Sequence, residues 1–172
     1  LTRFLEGLPQ RYLAVVDRRH VYAHARLARD IHRDQVHTLL ERRGDVWDLA
    51  VVTLDKPQLF SNICGVLSYF GMDILRGSVM TSTTGLVLDL FQFADRERFL
   101  ETNASGAAEL EALLQDAVAG RRDVVDLVRR KARGPLYRRR GPARVTPVVY
   151  FDDAHSEHYT VLEIVAEDAV GL

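Results

Sequence analysis

The chain has 172 residues, 47% of them hydrophobic, and a formal net charge of −1. That size suits one domain with flanking pieces, and the neutral balance excludes a partner held by overall charge, such as nucleic acid. A single cysteine, Cys64, excludes a disulfide framework and fits a reducing cytoplasm. No apolar run approaches the roughly 18 residues that span a bilayer, so no membrane association is expected. The first residue is Leu1 and not Met, which reads as an internal fragment.

Residues 1–43 read as helical, with too little apolar surface to bury a full core alone. Val21, His24, Ala25, Leu27, Ala28 and Ile31 recur at helical spacing, Val36, Leu39 and Leu40 continue the pattern, and Gly44 closes it as a helix C-cap. Residues 46–53 predict a first strand. Asp55 then stands where a side chain caps a helix, Pro57 suits a first helical turn, and Leu59, Ile63, Val66, Leu67 and Phe70 share one face up to Gly71. Residues 72–82 and 86–93 predict a hairpin turning at Thr83-Thr84-Gly85. After a polar gap, Leu110, Leu113, Leu114, Ala117 and Val118 mark a second amphipathic helix that stops at Gly120.

A short Arg-rich helix with Val124, Leu127 and Val128 follows, running to Gly134-Pro135. Residues 121–144 hold ten basic residues against Asp123 and Asp126, which reads as a solvated linker. Residues 144–151 predict a fourth strand, at an edge because of Pro147. The order β-α-β-β-α-β predicts an α+β, ferredoxin-like fold, a four-stranded antiparallel sheet with two helices on one face. The domain is expected over 44–156 with a basic insertion at 120–143.

One signal occurs twice. At an offset of 113 residues, Leu49 matches Leu162, Val52 matches Val165, Asp55 matches Asp168 and Leu59 matches Leu172. Each copy is a β-rich run ending in an acid, so residues 157–172 read as the first strand of a second, truncated domain.

The turn Asp55-Lys56-Pro57-Gln58-Leu59-Phe60 is the leading site candidate, because free N–H groups at a helix N-terminus attract carboxylates and phosphates. His20 and His24, four apart on one helix face, have metal-binding spacing but lack the intervening Glu of a metalloprotease. They read better as surface or packed histidines. Asp152 to His158 is rich in ligand types and reads as a polar turn. Asp89, inside an apolar strand, is expected to face solvent or to pair with Arg76. Catalytic nucleophile signatures, a Walker loop and a dinucleotide glycine run are absent. Phe91 and Phe93 lack the basic and glycine context of an RNA-binding sheet.

Four stretches resemble the C-terminal part of the bifunctional PII uridylyltransferase/uridylyl-removing enzymes. They are Leu8-Pro9-Gln10-Arg11-Tyr12-Leu13 with Val21 and His24, then Asp55 to Phe60, then Thr81 to Phe91, and Val145 to Leu172. The first is similar to the exit of that family's HD hydrolase domain, the others to its tandem ACT domains, which are ferredoxin-like. The resemblance implies a regulatory segment in which glutamine binds between ACT domains. Its effector-binding residues would be Asp55, Pro57, Gln58 and Leu59 in the first copy and Asp168, Gly171 and Leu172 in the second.

It further implies a cytoplasmic enzyme whose catalytic residues, and the divalent metal such as magnesium that serves them, lie outside this segment. The implied partners are the PII signalling protein and the chain's own upstream catalytic domains. Two departures stand out. Most ACT domains have Gly where this chain has Gln58, and Val170 replaces the usual Pro. Two other readings stay open: an effector-free structural or dimerising ACT module, and an ACT regulator of a different HD-domain enzyme.

Overall fold

A computed structural model describes residues 2–135, 145–154 and 159–167. Three short helices open the chain: α1 (Thr2–Gly7), α2 (Tyr12–Val15) and α3 (Arg18–Leu27). A hairpin follows, β1 (His37–Arg43) and β2 (Val46–Leu54), then α4 (Leu59–Tyr69). A second hairpin, β3 (Asp73–Thr81) and β4 (Leu86–Ala94), leads to α5 (Phe99–Thr102), α6 (Gly106–Val118) and α7 (Val124–Ala132). Last come β5 (Val148–Asp152) and β6 (Val161–Val165).

The α+β class is as expected, with a four-stranded antiparallel sheet of order β1-β2-β4-β3. The origin of one edge strand is not. Residues 37–43, expected to extend a helix, form β1 and pair with β2 in register Leu40 to Leu49. Gly44, read as a helix C-cap, takes φ +64° in the two-residue turn that joins these strands. The apolar positions Val36, Leu39 and Leu40 satisfy either period over so short a run, and the available sheet edge decides.

The stretch expected to supply the fourth strand instead gives β5, which pairs only with β6 in a separate two-stranded sheet. The order within the main unit is therefore ββαββα. The 113-residue repeat gains a partner strand in each copy: Leu49 faces Leu40, and its counterpart Leu162 faces Phe151.

Strands β2 and β4 are covered on both sides. Leu49, Val51, Val87, Phe91 and Phe93 pack under α4, α6 and α7, while Ala50, Val52, Met80 and Leu88 pack under α1–α3. That double covering explains why Leu49-Ala50-Val51-Val52 is continuously apolar and not alternating. Helix α7 seats itself on α4 at Gly65, where an added Cβ would lie 2.4 Å from Val124 Cγ1. Lys131 of α7 donates from Nζ to the carbonyls of Ser68 and Tyr69, satisfying the C-terminal end of α4. The expected Gly85 turn is present with φ +78°, held by Ser82 Oγ accepting from the backbone N–H of Leu86 at 3.0 Å.

Candidate functional site

The loop between β2 and α4 is built differently from the sequence expectation. Asp55 does not cap the helix. Its backbone N–H donates to the Gly85 carbonyl at 2.9 Å, and α4 begins three residues later than a cap at Asp55 would place it. The N-cap is Gln58, in the left-handed region at φ +60°, with no side-chain cap. A glycine adopts that conformation without strain, whereas a side chain costs about 1–2 kcal/mol.

The Gln58 carbonyl accepts from Asn62 N–H at 2.9 Å and from Ser61 Oγ at 2.9 Å. The backbone N–H groups of Phe60 and Ser61 have no acceptor among the described residues. They form the partial positive charge of the α4 N-terminus. Lys56 is drawn away from the loop by its ion pair with Asp34 and its bond to the Val118 carbonyl at 3.0 Å.

The loop therefore brings Asp55, Pro57 and Gln58 together at the surface, while Leu59 turns into the core under α4. Asp168, Gly171 and Leu172 lie outside the described residues, as do residues 136–144 of the Arg-rich stretch.

Asp89 is neither at the surface nor paired with Arg76. It is 1% exposed on the α4 side of the sheet, and neither carboxylate oxygen has a partner. Burial, and then the negative charge of Asp55, push its pKa up to about 7. Cys64 is raised to about 11 by burial and by Asp89, so its thiol is a poor nucleophile at neutral pH.

His20 and His24 pack against their neighbours in α3 and α2. His24 is buried, with Nδ1 3.0 Å from the Tyr12 hydroxyl, and His20 stacks on it at 6.2 Å between ring centroids. Burial lowers His24 to about 4 and raises Tyr12 to about 12, so both are neutral at pH 7. No group of three or more His, Cys, Asp or Glu among the described residues is arranged to hold a metal ion. The Asp152 turn is held locally, with Asp152 Oδ1 accepting from Ala154 N–H and Asp153 Oδ1 from Thr160 Oγ1. His155 and His158 of that turn lie outside the described residues.

The chain is 30% identical to a bifunctional uridylyltransferase/uridylyl-removing enzyme of Gluconobacter oxydans, an alignment that covers all of this chain. It is also 30% identical to that of Azospirillum brasilense over 96% of its length, and 27% to that of Nitrobacter hamburgensis over 94%. The chain is homologous to a segment of these enzymes. It spans about 18% of the length of each of these uridylyltransferase relatives. No family model and no solved structure matches it. None of its described helices is long and apolar enough to cross a membrane.

Proposed function

We propose that this chain is a glutamine-sensing regulatory segment, of ACT type, in a cytoplasmic bifunctional uridylyltransferase/uridylyl-removing enzyme that acts on the PII signalling protein. The observation that carries the reading is an alignment running through the whole chain with relatives that all bear that name. The free N–H groups of Phe60 and Ser61 support a carboxylate-binding role for the loop that opens α4. Asp55, Pro57 and Gln58 would contact the effector, and Leu59 would hold the helix in place from the core. In the second copy the same roles fall to Asp168, Gly171 and Leu172.

Glutamine acts by binding one arrangement of the domains more tightly than another, which shifts the catalytic domains from UMP transfer to UMP removal. The catalytic residues and the divalent metal belong to those other domains. The test is calorimetric titration of the full protein with L-glutamine, together with its transfer and removal rates. Saturable binding that moves the two rates in opposite directions is expected. Rates unchanged by glutamine overturn the sensing role.

Gln58→Gly separates this from an effector-free module. Relief of the left-handed side chain raises stability by up to about 1 kcal/mol in either case. A gain in glutamine affinity accompanies it only where the loop binds effector.

A further inference from the structure

The face of the sheet under α1–α3 carries a feature that the α4 loop does not share. These helices cover one end of the face, over Val52, Met80 and Leu88, and leave the other end open. A cavity of about 590 Å³ lies there, within the size range of small-molecule sites, and none of residues 55–59 lines it. Its floor is two rows running across the strands. One row is polar: Glu41 faces Asp48, Asp48 faces Gln92, and Gln92 faces Arg76. The next is mostly apolar, with Leu39, Ala50, Leu90 and Ser78 in the corresponding places. His20 and His24 of α3 form a wall.

Arg76 reaches this face because of a bulge. Ile74 pairs with Phe93 and packs toward α4, and regular alternation would send Arg76 the same way. The register shift between Ile74 and Arg76 places Arg76 opposite Gln92 and so on the cavity side. Its guanidinium has no hydrogen bond or ion pair among the described residues.

The other charges are mostly committed. Arg43 Nε pairs with Asp48 Oδ2 at 2.9 Å, Gln92 donates to Asp48 Oδ1 at 3.0 Å, and Asp17 pairs with Arg19. Among the described residues Glu41 has only His20 Nε2, at 3.4 Å. Arg76 therefore faces the cavity without a partner among the described residues, and Glu41 faces it with His20 as its one recorded partner, on opposite edge strands. Three strand spacings, about 14 Å, separate their Cα atoms, a gap within the combined reach of an extended Glu, an extended Arg and a small molecule held between them.

We propose that this cavity binds a free aliphatic α-amino acid, with its carboxylate on the Arg76 fork, its ammonium on Glu41 and its side chain over Leu39, Ala50 and Leu90. An Arg fork suits a carboxylate in two-point contact. An anion alone would leave Glu41 with His20 only, and a cation alone would leave Arg76 without a partner among the described residues. The wall adds no competing charge from His24. The buried Tyr12 hydroxyl has no other acceptor among the described residues, so it donates to His24 Nδ1 and leaves Nε2–H on a neutral ring. The site is distinct from the glutamine loop and on the other face of the sheet.

Titration of the full chain with L-leucine, 4-methylpentanoate and isopentylamine tests it, using Arg76→Ala and Glu41→Gln, both at exposed positions, with circular dichroism to verify folding. The expected result is saturable leucine binding, at least about tenfold weaker in each variant and at least about tenfold weaker for each single-charge analogue. Glutamine binding, if present at the α4 loop, is unchanged in both variants, so failure of either site is seen separately. Three results overturn the proposal: no leucine binding at millimolar concentration, equal affinity for a single-charge analogue, or full affinity in both folded variants.

Discussion

Under α4, α6 and α7 the sheet is sealed from Leu49 to Phe93 by a continuous apolar cluster, and the carboxylate trapped there, Asp89, has no hydrogen-bond partner among the described residues. Under α1–α3 the cover stops half-way, and the polar groups beyond it are paired, stacked or open to a cavity. Both faces are made from the same strands, residue by alternate residue. The difference lies in what is laid over them. Eleven- and thirteen-residue helices span the first face, whereas the helices on the second run to at most ten residues. A sealed face shifts the ionisation of its buried Asp89 up to about pH 7, and a half-covered face can keep charges ready for a ligand.

The strongest way to break this comparison is to remove the trapped acid. Asp89 ionises near pH 7 in the folded chain and near 4 in the unfolded one. Its protonated form thus favours the folded state, so the stability it allows is complete below about pH 4 and is lost as pH rises to 7. Asp89→Asn should flatten that slope, changing little at pH 4 and gaining on the order of 4 kcal/mol at pH 8. Urea unfolding at the two pH values measures it. An equal effect at both would show that the carboxylate is not held neutral.

Next in size is Gly65→Ala, which forces a methyl group against the stiff, buried Val124 side chain. A loss of about 2 kcal/mol in thermal or urea unfolding is expected, with exchange protection falling in α7 before α6. Smallest is Tyr12→Phe on the half-covered face. It deletes the bond to His24, for about 1 kcal/mol, because the ring keeps its packing and the histidine remains neutral. A loss as large as that of Gly65→Ala would mean that the two faces are equally tight.

Particular elements show how far the sequence could be read. Leu59, Ile63, Val66 and Leu67 recur at a clean helical period, and all four are buried on α4. Thr83-Thr84-Gly85 predicts its hairpin because positive φ at a glycine is a local property. Gly44 shows the limit of the same reasoning. Positive φ serves a helix end and a tight hairpin alike, and the residues before it satisfied both periods. Helix α4 begins at Leu59 because Gln58 turns left-handed, which nothing about a glutamine foretells. The polar row Glu41–Asp48–Gln92–Arg76 draws on four strands and a bulge, so no window of sequence contains it.

The sequence by itself determined the α+β composition, the helices that form the sealed face, the repeat at 113 residues and the kinship with the uridylyltransferase enzymes. These rest on local periodicity and on order along the chain. Only the tertiary structure decided which strand took the edge beside β2, that Asp89 would lie buried on the α4 side of the sheet, and that Arg76 would face the cavity. Each of these depends on a pairing between distant segments, and a single bulged residue reverses which face of the sheet a side chain meets.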